Sequence, residues 1–223
     1  MSVLVDNLGA LILALLLLNV KLTCIAILIA LPIASTFAVA RLSTNPLLYY
    51  PVTIYVNVLR SSPLLMILFW AYYTGPMLTG QASSAERAAL IALTAFEVAY
   101  FTEIVRTGIQ SIPMSQRRAG LATGLTSRLV TQLIILPQAL RRMLPSLLTQ
   151  SIIAFQDSTI ASIIGVPDVA QVATILNARE QRPIQLYGGL AIMFFVICYA
   201  LSHLVRGLER RTAKRITGIG AAA

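Results

Sequence analysis

The stretch QSIPMSQRRAGLATGLTSRLVTQLIILPQALRRMLP, Gln110 to Pro145, decides how the chain is read. It is polar, basic and rich in small residues, and it is too long for a turn. Long apolar segments flank it on both sides. A chain that keeps such an insertion between lipid-seeking segments uses it to meet something in water.

The composition sets the class. Of 223 residues 57% are hydrophobic and 11% are charged, against about 45–50% and about 25% in soluble domains. Mean hydropathy is +0.81. A spanning helix needs about 20 apolar residues, so the expected fold is an all-α integral membrane protein with five transmembrane helices. Residues 1–223 form a single transmembrane domain, with no room for a separate soluble one. The net charge of +9 raises nucleic acid as a partner. The basic residues gather between and after apolar runs, which is a membrane pattern and excludes a nucleic-acid stripe. Cys24 and Cys198 fall inside apolar runs and read as small core residues. The apolar N-terminal run lacks a basic lead and continues past Lys21 to Ala40, so it reads as an uncleaved span.

The spans are expected over Leu8–Ala40, from Tyr49–Arg60 to about Tyr73, over Ala88–Ile109, Gln138–Ile164 and Pro183–Val205. Ser61-Ser62-Pro63 should bend the second, and Thr74-Gly75-Pro76 should end it. A short helix is expected within Val169–Leu176. Thr217–Ala223 reads as disordered. Five spans put the termini on opposite sides. On one side lie Arg41, Arg60, Arg106, Arg117, Arg118, Arg128, Arg141, Arg142 and the tail's Arg206, Arg210, Arg211, Lys214 and Arg215. The other side holds Arg87, Arg179 and Arg182, and Lys21 interrupts the first span. The asymmetry predicts a cytoplasmic insertion, a basic cytoplasmic tail over 206–223 and an external N-terminus.

Charges inside spans are costly unless paired or facing a cavity. Glu103 and Arg106, three apart on one helix face, are expected to pair. Glu97 has no local partner in the sequence. Asp157 stands late in the fourth span, within Gln156-Asp157-Ser158-Thr159. An amino acid zwitterion needs a carboxylate for its ammonium and donors for its carboxylate. Asp157, Glu97, Gln156, Ser158 and Thr159 are therefore candidate path residues. Arg60, Ser61 and Ser62 join them at the bend. For the three charged candidates there is a plain alternative: Asp157 pairing with another helix or capping the loop after the span, Glu97 packing between helices, Arg60 anchoring the bend.

Within the insertion, Ser115 is the expected N-cap of a helix over Gln116–Thr123, and Gly124 can end it in the left-handed conformation. Thr126 or Ser127 can cap a second short helix ending before Pro137. Small residues let such a helix enter a groove on another protein.

The spacing Arg118-Ala119-Gly120, three residues, Gly124, nine residues, Ile134-Ile135-Leu136-Pro137 resembles the EAA loop of ATP-binding cassette (ABC) importer permeases. VLRSSPLLMILFWAYY at 58–73, AYFTEIVRTGIQSIP at 99–113, ILPQALRRMLP at 135–145 and FQDSTIASIIGVPD at 155–168 are similar to its polar amino acid branch. LLTQSIIAFQDST is most like permeases of glutamate/aspartate importers. The resemblance implies a type I importer permease of the bacterial inner membrane. Two permease subunits, with a heterodimer favoured, would form the pore. An ABC ATPase dimer would carry ATP and Mg, and a periplasmic or tethered solute-binding protein would deliver the amino acid. This chain itself would hold no metal or cofactor and no catalytic residue. Loop 110–137 would couple to the ATPase through Arg117, Arg118, Ala119, Gly120, Ala122, Gly124 and Pro137. Two positions depart from the family pattern: Arg118 replaces its Glu, and Gly120 its second Ala. Import of basic or neutral polar amino acids is the alternative cargo. An ATP-independent secondary transporter or channel would explain the spans but not the loop.

Overall fold

The computed structural model describes residues 6–80 and 84–220, with the side chains of Thr79 and 208–220 left out. Among the described residues eight helices follow one another: α1 (Leu8–Arg41), α2 (Pro46–Ser61), α3 (Leu64–Thr79), α4 (Ala85–Gln110), α5 (Met114–Ala122), α6 (Ser127–Ile164), α7 (Val169–Glu180) and α8 (Pro183–Gly220). Among the described residues four helices are long and apolar enough to cross a membrane. A fifth span results if α2 and α3, bent by 108° about their junction, count as one.

Helix α4 is the centre. Its most apolar window is 61% buried, whereas that of α8 is 11% buried and faces outward. Helix α1 packs against α4 through Ala26, Ala30, Ala34 and Ala38, all fully buried. Their spacing of four places small side chains along one ridge. Two helices can then approach closely, which is how packing is gained in lipid, where burial against water is not the driving force. Val98 and Phe101 of α4 fill the space opposite Ala30 and Ala34. At Gly108 an added Cβ would lie 2.8 Å from the Met143 Cβ, so the α4–α6 approach depends on a missing side chain.

The α2–α3 break has a local cause. Pro63 disfavours helical backbone at the residue before it, and Ser62 and Pro63 are both extended, with ψ of 140° and 136°. Asn45 caps the start of α2, its side chain accepting from the Leu47 N–H. Gly165, at φ +85°, turns the chain after α6, and Asp168 caps α7 by accepting from the Gln171 N–H at 2.9 Å.

Several boundaries differ from the expectations. Pro76 lies inside α3, which continues to Thr79 and closes on Gly80 at φ +66°. The fourth span does not begin at Gln138. Helix α6 runs unbroken from Ser127 through Pro137, with a wide π turn at Thr131–Ile135 just before the proline. Pro137 lacks an N–H and its ring crowds the preceding turn. The wide turn makes room there, and the Gln138 Nε2 donates to the Ile134 carbonyl at 2.9 Å. Helix α7 extends four residues past Leu176. Helix α8 reaches Gly220 where irregular chain was expected, and Ala221–Ala223 lie outside the described residues. Cys198 is buried as expected, but Cys24 is exposed on the outer face of α1.

Candidate functional site

Polar groups descend α4 three residues apart: Glu97, Tyr100, Glu103 and Arg106. This spacing forms an inclined row along a helix, and each member meets a partner. Glu97 is fully buried. The Gln150 Nε2 of α6 donates to its two carboxylate oxygens at 3.3 and 3.2 Å. The partner that the local sequence lacked comes from 53 residues away. Arg60, at the end of α2, places its guanidinium 5.3 Å from the Tyr100 ring centroid.

Glu103 gathers three arginines. Arg106 donates to it through Nε at 3.1 Å and also through Nη2, so the expected pair is present. Arg41, at the end of α1, donates at 2.6 Å, and Arg60 approaches to 4.0 Å. The tight partners are mostly buried, with side-chain exposures of 11% for Arg41 and 22% for Arg106. Arg60 is 40% exposed and held loosest. Arg60 thus stands beside the bend with only loose contacts to Glu103 and the Tyr100 ring. Ser61 is exposed, and the Ser62 hydroxyl donates to the Val58 carbonyl at 2.8 Å.

Asp157 ends the α-helical part of α6, where the helix tightens to a 3-10 turn over Ser158–Ile164. It lines a narrow cleft with Leu22 of α1, Leu64 and Leu68 of α3, and Ala92 and Leu93 of α4. Its side chain makes no hydrogen bond or ion pair among the described residues. The space inside is about 10 Å3, room for one water and not for an amino acid. A larger hollow of about 270 Å3 lies between α6 and α8, around Leu148, Ile152 and Leu201. Its lining is almost wholly apolar, which suits a lipid chain and not a zwitterion.

Gln156 and Thr159 do not line this cleft. Gln156 is exposed. The Thr159 hydroxyl donates to the Gln156 carbonyl at 2.7 Å. Ser158 is buried, lines the same cleft, and meets two residues the sequence reading missed. The Asn19 Nδ2 donates to the Ser158 Oγ at 3.0 Å and to the Asp168 Oδ2 at 3.2 Å. The Val169 N–H donates to the Asn19 Oδ1 at 3.1 Å. Asn19 sits on a wide π turn, Leu15–Val20, whose Asn19 carbonyl accepts from the Thr23 hydroxyl at 2.7 Å. Burial pushes the Asp168 carboxyl above the ordinary aspartate value, and its hydrogen bonds to Gln171 and Asn19 oppose that rise. One signal was visible: Asn19 is the single polar residue in LLLLNV, and such a residue needs a partner.

The 110–137 loop folds back on itself. Helix α5 starts at Met114 with Pro113 in the cap position, and Ser115 therefore lies in the first turn instead of capping it. Gly124 has φ +84°, as expected. Thr126 caps the start of α6, its hydroxyl accepting from the Leu129 N–H at 3.4 Å. Gly120 faces inward. A Cβ there would lie 2.7 Å from the Ile134 Cδ1 and 3.0 Å from the Val130 Cγ2. Arg117 faces the same junction and donates to the Ser127 hydroxyl at 3.1 Å. Arg118, Ala119, Leu121 and Ala122 are exposed. The Arg118 side chain has no hydrogen bond or ion pair among the described residues. Pro137 takes part in the continuous α6 instead of ending a separate helix.

Residues 26–218 match the family described as binding-protein-dependent transport system inner membrane component. The chain is 37% identical over 205 residues to the glutamate/aspartate import permease protein GltK of Escherichia coli O6:H1, covering 89% of this chain and 92% of that one. It is 35% identical over 184 residues to the probable glutamine ABC transporter permease protein GlnP of Bacillus subtilis, covering 80% and 82%. A solved amino acid ABC transporter, crystallised with histidines, superposes with a TM-score of 0.88 at 30% identity, covering 93% of this chain and 96% of that one.

Proposed function

The chain belongs to the family of binding-protein-dependent transport system inner membrane components, and from that premise we propose that it forms part of the pore of a glutamate/aspartate importer. Its coarser role is established by the same likeness: it is a permease subunit of an ABC importer for polar amino acids. The acidic cargo rests on one observation, the 37% identity to the GltK permease over nearly the whole chain.

In this reading the substrate passes along the α4 row, beside the α2–α3 bend. Asp157 and Glu97 face its ammonium, and Arg60 meets a carboxylate. Arg60 suits this because Glu103 is already satisfied by Arg41 and Arg106, so its release strands no buried carboxylate. The cleft at Asp157 is too small for an amino acid in this structure, so helix movement or the second permease subunit completes it. A related but different permease is the favoured second subunit. Loop 110–137 lies in the cytoplasm and presents the outer face of α5, with Arg118, Leu121 and Ala122, to an ABC ATPase that binds ATP and Mg. The tail is cytoplasmic and the N-terminus external, where a solute-binding protein docks.

Uptake by the complete transporter in proteoliposomes tests the cargo. Labelled glutamate should accumulate with ATP inside, and unlabelled aspartate should compete while glutamine and histidine should not. Competition by glutamine alone would assign the cargo to the neutral class.

A further inference from the structure

Three elements distant in sequence meet at Asn19. The Val169 N–H can only donate, so it fixes the Asn19 Oδ1 on its side and turns Nδ2 toward Ser158 and Asp168. Asp168 then spends its second oxygen on the Gln171 N–H. Ser158 spends its proton on the Phe155 carbonyl at 2.7 Å. Asn19 and Asp168 are fully buried and Ser158 is 2% exposed. Every polar group in the cluster has a partner, and in so dry a place the bonds strengthen one another.

The chain positions give the cluster its meaning. Ser158 follows Asp157 and begins the 3-10 turn, so the bond from Asn19 fixes where α6 tightens and how Asp157 enters the cleft. Asp168 is the N-cap of α7, so the same amide also fixes where that helix starts. Helix α7 is short, lies outside the spans and has an exposed face that includes Ile175 and Glu180. A shift of α7 cannot leave the Asp157 turn unmoved while both are held by one side chain.

We propose that Asn19 is a positioning residue for transport, tying the start of α7 to the turn that carries Asp157 so that movement of α7 reaches the cleft. This rests on the reading of Asp157 as a path residue. A cluster that only supports the fold would have no such link to coupling.

The test uses the complete transporter with its binding protein loaded with glutamate, and reads assembly, basal ATPase, stimulated ATPase and uptake. Asn19→Ala removes both donor bonds and the acceptor for the Val169 N–H without adding a charge. Assembly and basal ATPase should persist while stimulation and uptake fall about tenfold, the scale of one lost hydrogen bond to a charged group. Asn19→Asp sets two carboxylates against each other and should lose stimulation as well. The double variant Asn19→Asp/Asp168→Asn moves the amide to the other partner and keeps acceptors for the Val169 and Gln171 N–H groups. The Ser158 hydroxyl turns its proton from the Phe155 carbonyl to the new carboxylate, which restores the link, and stimulation should recover. Normal stimulation in Asn19→Ala overturns the proposal. So does an equal fall in basal and stimulated rates, or an assembled double variant that stays unstimulated. Asp157→Asn runs alongside. Normal transport by Asp157→Asn overturns the path reading and with it this role for Asn19. A transport-dead Asp157→Asn beside a normal Asn19→Ala overturns the role of Asn19 alone.

Discussion

Glu103 shows at the scale of one residue how a costly charge is kept in a membrane helix. Its two oxygens take Arg106 and Arg41 closely and leave Arg60 at 4.0 Å. Glu103→Gln leaves three guanidiniums without a counter-charge and should lower stability in detergent by about 2 kcal/mol, seen as a lower Tm. Arg60→Ala should cost under about 1 kcal/mol, since an exposed, loose pair contributes little, yet it should weaken glutamate uptake if this guanidinium meets the substrate. Asp157→Asn should abolish most uptake with assembly intact; unchanged uptake and ATPase stimulation would remove Asp157 from the path. The Glu103–Arg106 pair was legible in the sequence because both ends lie within one helical turn. The Gln150 partner of Glu97 and the Asp168 partner of Asn19 were not. They are 53 and 149 positions away, and periodicity carries no information about which distant helix comes to rest alongside.

Among elements, α5 and the start of α6 form the clearest division between inside and outside. Gly120 touches Ile134 and Val130, and Ala122 faces out. Ile134 and Val130 leave little room for a side chain at Gly120. Gly120→Val should therefore cost about 1–3 kcal/mol by overpacking, read as a lower Tm of the purified complex. Ala122→Trp adds bulk to an exposed site and should leave the Tm unchanged while uncoupling ATPase stimulation. Retained stimulation in Ala122→Trp would count heavily against docking through this face. The Ser61-Ser62-Pro63 bend was legible because proline acts locally on the residue before it. The continuity of α6 through Pro137 was not. A proline signals a break, and only a wide turn, invisible in the residue pattern, lets the helix pass.

For the whole molecule, hydropathy and charge placement carry the membrane class and the spans, because lipid rewards the same apolar run in any context. The central place of α4 could not be read this way, for it is less apolar than α1 and α8 and owes its burial in part to the alanine ridge of α1. As one subunit, the molecule offers a cleft smaller than its cargo, which suits a pore that opens only within an assembly. The most direct measurement is ATP hydrolysis by the purified complex in proteoliposomes, with and without its glutamate-loaded binding protein. The loaded protein should raise turnover several-fold and drive glutamate accumulation that stops when ATP is withheld. Glutamate accumulation without ATP, with turnover indifferent to the binding protein, would contradict the account.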